Sequence, residues 1–170
     1  MMLGYLLYAW KINYKLYKYD FFINKGVDMN NNKKKNNNNP LRELIQTKNA
    51  PSAVGTYNQA VFAGGLLFTS GQIGINPASG KIEASDTKGQ SIQALKNIEE
   101  ILKAKQMSLI NIIKLTVYLK DLNDFSDLND VFKDFFQNIN YPARSTVEVA
   151  GLPLGARVEI DCIAIEEKLG

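Results

Sequence analysis

The chain has 170 residues, of which 45% are hydrophobic and 22% are charged, fractions that are typical of a globular protein with one sizeable core. It contains no histidine, which excludes Ser-His-Asp and Cys-His nucleophiles, histidine-based RNA cleavage and histidine-ligated metals. Its single cysteine, Cys162, excludes an intramolecular disulfide and a cysteine metal cluster, and the apolar run around it predicts a small buried side chain.

The net charge of +3 is unevenly distributed along the chain. Residues 1–40 hold seven Lys and two Asp, whereas residues 41–170 hold thirteen Lys or Arg and fifteen Asp or Glu. The second part therefore has a slight acidic excess, which argues against a nucleic-acid-binding surface on it.

Residues 1–40 are predicted to be an extension, and residues 41–170 are predicted to be a single folded domain. The low-complexity stretch MNNNKKKNNNN at 29–39 predicts a disordered linker. The uncharged opening run of ten residues is too short to span a bilayer, so no membrane partner is expected. An unstructured extension, an organelle-targeting segment and a surface-binding amphipathic stretch all remain open, and Met29 could be the true start. We expect a cytoplasmic protein, with a mitochondrion or plastid as the alternative.

Turn signals define the first predicted elements of the domain. Gly64-Gly65 separates the short apolar runs 61–63 and 66–69, and this pattern predicts a hairpin because tight hairpin turns need positive φ. The sequence NPASG at 76–80 predicts a second turn.

Two helices and a strand are predicted from hydrophobic periodicity. A helix at 87–105 carries apolar residues at helical spacing, and Thr87 with Gln90 fits a capping box at its start. Alternating residues predict a strand at 112–120. A second helix is predicted at 124–137, capped by Asp124. Its apolar stripe and a polar side with several acids predict a solvated helix face rather than a cation site; the acids are Asp127, Asp130 and Asp134.

Two final strands at 144–150 and 157–165 complete the order strand-strand-helix-strand-helix-strand-strand. This order predicts an α+β fold with a single mixed β-sheet and two helices packed on one face. We expect the face under the helices to include Ser145, Val147 and Val149. The other face is expected to mix charges with large aliphatic residues, so that another subunit covers it, or it carries a site, or both; these residues are Arg144, Thr146, Glu148, Glu159, Asp161, Ile163 and Ile165.

Four ordered segments resemble one known family. The strongest is Tyr141-Pro-Ala-Arg-Ser-Thr-Val-Glu-Val-Ala150, followed by Leu152-Pro153 and Val158-Glu-Ile160. The others are Asn49-Ala-Pro51 with Gly55-Thr-Tyr-Asn-Gln59, then Phe68-Thr-Ser-Gly-Gln72, then Asp121-Leu-Asn-Asp-Phe125. Together they are similar to the RidA/YjgF family of reactive-intermediate deaminases, also labelled endoribonuclease L-PSP, over about residues 44–166.

The resemblance implies a chorismate-mutase-like fold, a homotrimer and active sites in the clefts between subunits. It also implies hydrolysis of enamine and 2-imino acid substrates, such as 2-iminobutanoate and 2-iminopropanoate, to 2-oxo acids and ammonia. No cofactor and no metal are implied.

The resemblance also implies the site residues. Arg144 aligns with the substrate-binding arginine, and a guanidinium suits a carboxylate because it forms two parallel hydrogen bonds. Glu159 aligns with a glutamate that orients the attacking water, and a partly desolvated carboxylate can transfer protons. The predicted binding residues beside them are Tyr57, Ser70, Gly71, Asn129 and Thr146. The chain departs from the family pattern at Thr56, where many members have Pro, and at Thr146, where many have Cys.

Two other functions remain open at this stage. One is an endoribonuclease or translation inhibitor, which the acidic balance and the missing histidine disfavour. The other is a trimer that binds small molecules without catalysis, because a fold alone does not prove chemistry.

Overall fold

The structure is a computed structural model that describes residues 41–167. The predicted extension at residues 1–40 lies outside the described residues. The elements, in chain order, are β1 (Glu43–Ile45), β2 (Ala60–Ala63), β3 (Leu66–Thr69), β4 (Gln72–Ile73), β5 (Ile75–Asn76), β6 (Lys81–Ile82), α1 (Thr87–Ala104), β7 (Ile112–Leu119), α2 (Phe125–Phe135), β8 (Ala143–Glu148) and β9 (Val158–Ile165).

The main sheet has the strand order β1-β2-β3-β9-β7-β8, and the short strand β4 also pairs with β9. The β7–β8 pair is parallel and the other pairs are antiparallel, so the sheet is mixed as predicted. The predicted hairpin is confirmed, since β2 pairs with β3 and both Gly64 and Gly65 have positive φ. The turn predicted at 76–80 connects β5 and β6, a separate two-stranded sheet.

The core lies between the sheet and the two helices. On β7 the alternate residues Leu115, Val117 and Leu119 are fully buried, as the period of two predicts. They pack in one cluster with apolar side chains from β9, α1 and α2, which include Val158, Ile160, Leu95, Ile98, Leu128 and Phe132. Each such side chain stabilises the fold by about 1.5–3 kcal/mol, so the helices hold the sheet in one fixed position.

Helix α1 begins at the predicted residue, Thr87, but its N-cap lies one residue before the predicted cap. The N-cap is Asp86, whose carboxylate accepts the Gly89 N–H at 2.7 Å, so the predicted capping box of Thr87 and Gln90 is wrong. The Gln90 amide instead donates to the Ala84 carbonyl and accepts from the Arg157 N–H. The second bond ties the start of α1 to the start of β9.

The carboxyl end of α1 closes with a left-handed residue. Gln106 has φ of 59°, the Gln106 N–H donates to the Lys103 carbonyl, and the Met107 N–H donates to the Leu102 carbonyl. This pair of bonds is a Schellman motif, in which the left-handed residue is usually glycine. Met107 is buried behind it and directs the chain back toward β7.

Helix α2 is not capped by the Asp124 side chain, which corrects the second capping prediction. A short 3-10 turn at Leu122–Asp124 precedes the helix, and its first N–H is accepted by the Glu148 carboxylate. The Asp124 carboxylate instead accepts hydrogen bonds from the Thr87 hydroxyl and, at 2.8 Å, from the Arg157 guanidinium. Asp124 therefore joins α2 to α1 and β9.

The predicted faces of β8 are reversed in the structure. Arg144 and Thr146 pair with Leu115 and Val117, which are buried under the helices, so the two residues point to the helix side. By the same register Ser145 and Val147 lie on the open side of the sheet. The prediction for β9 is correct, because Val158, Ile160, Cys162 and Ala164 are buried while Glu159 and Asp161 face the open side.

Within residues 41–167, no helix is long and apolar enough to cross a membrane. No group of three Asp, Glu or Cys side chains in the same range is arranged to hold a metal ion. The acids Asp127, Asp130 and Asp134 are exposed on α2, as predicted for a solvated face, and Asp130 pairs with Lys133 at 3.2 Å.

Candidate active site

Arg144 lies on the edge strand β8 against one side of helix α2. Its Nη2 donates to Asn129 Oδ1 at 2.7 Å. Its guanidinium carbon lies 4.6 Å from the ring centroid of Phe132 and 5.4 Å from that of Phe125. Burial lowers the pKa of Arg144, but a guanidinium remains a cation at neutral pH. The aromatic rings and the amide thus hold a partly desolvated positive charge in one orientation.

A cleft of about 530 Å³ opens beside this arginine, between α2 and the start of β8. One wall of the cleft is formed by residues of α2, and the opposite wall is formed by the chain that enters β8. The lining residues are Ser126, Asn129, Asp130, Phe132, Lys133, Tyr141, Pro142 and Arg144. Two cations, Arg144 and Lys133, line the cleft with one acid, Asp130. Arg144 can anchor a small anion such as a carboxylate there.

Ser70 and Gly71, on the loop between β3 and β4, form a second group with Glu159 on β9. The Ser70 hydroxyl donates to the Asn58 carbonyl at 2.6 Å, and the Ser70 N–H donates to the Gln59 carbonyl at 2.9 Å. A Cβ placed on Gly71 would lie 1.9 Å from Glu159 Oε1. The Glu159 carboxylate therefore occupies the space that a side chain at position 71 would need.

The surroundings of Glu159 on the open face of the sheet change the pKa of its carboxyl. Burial first, and then the charge of Asp161, raise the pKa of the Glu159 carboxyl. Across the sheet, Tyr118 on β7 pairs directly with Glu159 in register. Burial, the charge of Asp161 and a hydrogen bond to its carboxylate raise the pKa of the Tyr118 phenol. A glutamate in such surroundings can hold a proton at higher pH than an exposed one, which suits proton transfer.

The other two predicted binding residues lie in different settings. Tyr57 is 49% exposed and its ring packs beside Gly55, on the segment that bonds to Ser70. Thr146 points to the helix side, and its hydroxyl is buried with no hydrogen-bond partner among the described residues. The structure therefore brings Tyr57 to the Ser70 loop and Thr146 to the strand of Arg144.

The predicted site residues fall into two groups within one chain. Arg144 and Asn129 lie on the helix side at β8, whereas Glu159 and Gly71 lie at the open side of β9. Strand β7 separates β8 from β9, and neighbouring strands are about 4.8 Å apart, so the two strands stand about 10 Å apart. A three- or four-carbon substrate cannot reach both groups in the same chain.

Three residues near the site were not predicted as functional. Phe125 and Phe132 were assigned to the apolar stripe of α2, and their contact with Arg144 depends on the reversed face of β8. Tyr118 alternated correctly in the predicted strand, but only the register with β9 places it opposite Glu159. One sequence signal could have indicated that Arg144 stacks on aromatic rings. It is an arginine in a strand, followed by small residues, that comes after a helix with aromatic residues at helical spacing.

Comparisons with known proteins identify relatives of this chain. The family model described as Endoribonuclease L-PSP matches residues 47–166. A Bos taurus protein named 2-iminobutanoate/2-iminopropanoate deaminase is 46% identical over 129 residues, which are 76% of this chain and 93% of the relative. The Homo sapiens protein of the same name is 43% identical over the same shares of the two chains.

Solved structures show the same fold. E. coli TdcF with bound serine is 43% identical, covers 74% of this chain and 99% of its own, and has a TM-score of 0.71. The E. coli YjgF gene product is 42% identical, covers the same shares and has the same TM-score. The match of the family model to most of the domain, together with relatives above 40% identity, shows that the chain belongs to the RidA/YjgF family.

Proposed function

We propose that this protein hydrolyses small 2-imino acids, such as 2-iminobutanoate and 2-iminopropanoate, to the 2-oxo acid and ammonia. The observation that carries the proposal is the position of Arg144, a stacked and partly desolvated cation that lines an open cleft. Relatives at 43–46% identity that are named for this activity support it. The serine bound in E. coli TdcF supports a small ligand with a carboxylate.

Arg144 anchors the substrate carboxylate in this proposal. Its Nη2 already donates to Asn129, which fixes the plane of the guanidinium. The remaining N–H groups then bind the two carboxylate oxygens, and a lysine could not copy this fork. The anchored substrate presents its C=N bond at the mouth of the cleft.

A second copy of the chain completes the site, and the assembly is a homotrimer. Support comes from the separation of the Arg144 and Glu159 groups by β7 and from the apolar residues on the open face. Leu44, Phe68 and Ile165 share that face in register and are 42–49% exposed in the single chain. A neighbouring subunit that covers this face would bring Glu159, Gly71 and Ser70 toward the Arg144 of another copy.

The reaction then needs only side chains, backbone groups and water. Glu159 orients the attacking water and transfers protons, while Gly71 lies against its carboxylate and Ser70 precedes Gly71 on the same loop. Tyr57 covers the substrate from the segment that bonds to the Ser70 loop. Thr146 provides a hydroxyl on the strand of Arg144, where many family members have the thiol of a cysteine. Imine hydrolysis requires no thiolate, so the threonine is compatible with activity.

The test is a competition assay with the full chain. A threonine dehydratase generates 2-iminobutanoate in place, semicarbazide traps it, and 2-oxobutanoate is measured. Wild type should divert the imine to 2-oxobutanoate, whereas Arg144→Ala should lose the diversion and Arg42→Ala, at an exposed arginine, should keep it. A folded trimeric wild type that leaves semicarbazide trapping unchanged contradicts the proposal.

RNA cleavage is the second candidate, because the matching family model is described as an endoribonuclease. The same preparations should therefore be incubated with single-stranded RNA. Cleavage that is lost in Arg144→Ala, together with a negative imine assay, would replace the first proposal by the second. Light scattering of the full chain tests the assembly, and a monomer would contradict the intersubunit site.

A further inference from the structure

The side-chain amide of Gln59, directly before β2, makes four hydrogen bonds to one earlier segment of the chain. Its Nε2 donates to the carbonyls of Thr47, Ala50 and Pro51 at 3.0, 3.2 and 2.8 Å. Its Oε1 accepts the Thr47 N–H at 2.7 Å. Gln59 is buried, with 4% of its surface exposed, so these partners satisfy the amide in place of water. One side chain therefore fixes residues 47–51 to the start of β2.

This amide closes a segment that has no helix or strand of its own. Residues 46–59, which we call the Tyr57 loop, connect β1 to β2. Gln59 stands at the end of the loop and binds its beginning, so only residues 52–58 lie between the two fixed points. Tyr57 lies on that part, and its ring packs against Gly55. A short segment with fixed ends has few conformations, so the position of the Tyr57 ring depends on the closure by Gln59.

The main chain beside this amide supports the neighbouring Ser70 loop. The Ser70 N–H donates to the Gln59 carbonyl at 2.9 Å, and the Ser70 hydroxyl donates to the Asn58 carbonyl at 2.6 Å. Gln59 thus contacts the Ser70 loop through its main chain and the Tyr57 loop through its side chain. A substitution at position 59 removes the side-chain contacts and leaves the main-chain carbonyl in place, so the two contacts can be tested apart.

We propose that Gln59 is a positioning residue for imine hydrolysis, whose side-chain amide holds the Tyr57 ring in place over the substrate. The inference rests on the proposed function, in which Tyr57 covers the substrate but the group that fixes Tyr57 has no part. Glutamine suits this role because its planar head carries two N–H donors and a carbonyl acceptor on a stem of two methylene groups. The three carbonyls face its nitrogen and the single N–H faces its oxygen, so every polar atom of the head is used.

The other side-chain bond from the Tyr57 loop to a helix cannot replace this closure. Asn49 Nδ2 donates to the Glu100 carboxylate on α1 at 3.0 Å, but this bond is exposed and competes with water. Loss of the Gln59 amide would leave the carbonyls that it binds without a donor in a partly dry place. The loop would then have to turn these carbonyls toward water, and the movement would displace Tyr57.

The first test measures kcat and KM on 2-iminobutanoate for the full-length wild type, Gln59→Met, Gln59→Asn and the control Gln46→Met. Methionine fills a similar space without donors, and asparagine carries the same amide on a shorter stem. KM should rise by about tenfold in Gln59→Met and by less in Gln59→Asn. Gln46 is exposed on the same loop, so its substitution should leave KM unchanged. A variant that is only less stable has fewer active molecules, which lowers the apparent kcat and leaves KM as it was.

A double substitution tests whether Gln59 acts through Tyr57. Tyr57→Ala alone should raise KM, because it removes the ring that covers the substrate. Adding Gln59→Met to Tyr57→Ala should then raise KM by less than about twofold more, since there is no ring left to position. A double variant whose rise in KM is the product of the two single rises would overturn the inference, because it would show that Gln59 acts independently of Tyr57.

Limited digestion with trypsin gives a readout that needs no turnover. Lys48 is exposed on the Tyr57 loop, and Lys81 is exposed on β6 in the separate two-stranded sheet. Cleavage after Lys48, followed by mass spectrometry, should be about tenfold faster in Gln59→Met, whereas cleavage after Lys81 should keep its wild-type rate. Faster cleavage at both sites would mean that the whole domain opens, and it would count against a local role for Gln59.

The outcomes distinguish this inference from the proposed function. A wild type without imine hydrolysis overturns the proposed function and this inference with it. An active wild type whose KM is unchanged in folded Gln59→Met and Gln59→Asn overturns the inference alone. If neither variant folds, the amide is needed for the fold as a whole, and the narrower role in positioning Tyr57 is overturned as well.

Discussion

Arg144 and Asn129 are joined by a 2.7 Å hydrogen bond that crosses from the edge strand β8 to helix α2. The bond uses one N–H of the guanidinium and the only acceptor of the asparagine side chain. It sets the orientation of the cation that we propose as the carboxylate anchor, so this contact couples the packing of α2 to substrate binding.

Asn129→Ala should therefore weaken substrate binding. A hydrogen bond to a charged group contributes about 1.5–3 kcal/mol, and losing it lets the guanidinium rotate, so KM should rise by about tenfold or more with a smaller change in kcat. Steady-state kinetics on 2-iminobutanoate measure both constants. Asn138→Ala, an exposed asparagine beyond α2, is the matched control. An unchanged KM for Asn129→Ala would show that the asparagine does not position Arg144.

Gly71→Ala should reduce activity with little change in stability. The added Cβ would lie 1.9 Å from Glu159 Oε1, and the end of a flexible side chain can move away more easily than the backbone. Displacement of a proton-transfer group by about 1 Å can cost about a hundredfold in kcat. Gly151→Ala, where the new Cβ meets nothing within 4 Å, should retain full activity. Equal activities in the two variants would show that the position of Glu159 does not affect the reaction.

Gln106→Gly should stabilise the protein. Gln106 holds φ of 59° at the end of α1, a conformation that costs a residue with a Cβ about 1–2 kcal/mol. Glycine adopts it freely, and after the greater entropy of its unfolded state the net gain should be about 1 kcal/mol. Urea denaturation gives the free energy of unfolding. Gln106→Ala, which keeps the Cβ, should show no such gain, and a similar gain in both variants would point to a cause other than backbone conformation.

Asp124→Asn should destabilise the protein at neutral pH but not at acidic pH. Hydrogen bonds from the Thr87 hydroxyl and from Arg157 lower the pKa of Asp124. The contribution of such a carboxylate is present above its unfolded pKa of about 3.9 and is lost as the pH falls through the lower folded value. Because Arg157 is 39% exposed, we expect a loss of only about 1 kcal/mol at pH 7.

Urea denaturation of Asp124→Asn at neutral pH and near pH 3 measures this difference. Asp134→Asn, at an exposed acid on the same helix, is the control and should change little at either pH. The difference between wild type and Asp124→Asn should shrink as the carboxylate becomes protonated. A difference that grows toward acidic pH would mean that Asp124 is not stabilised in its charged form.

Much of the architecture could be predicted because it depends on local patterns. Gly64-Gly65 indicated the hairpin, and period-two burial at Leu115, Val117 and Leu119 indicated β7. Helix ends were harder, since Asp86, Thr87 and Asp124 are all acceptable caps in sequence. Only the tertiary contacts with Arg157 decide that Asp124 bonds to another element.

Which residues of β8 point toward the helices could not be predicted from polarity alone. The apolar residue Val147 suggested the buried side, but its exposure is 44%, whereas Arg144 lies over two aromatic rings. An edge strand has a single neighbour, so its inner face can hold a long amphipathic side chain whose stem packs on apolar surface. The resemblance named Arg144, but its partners depend on register and on contacts between distant segments.

Among the described residues, β9 is the last strand in sequence, and it lies inside the sheet, between β3 and β7. During synthesis on the ribosome, β1–β3 and β7–β8 emerge earlier, and each set has an edge that can pair only when residues 158–165 arrive. Folding of the domain must therefore be completed late, after long-range contacts form. A chain stopped before residue 158 would leave two half-sheets with unpaired edges, which are prone to aggregate.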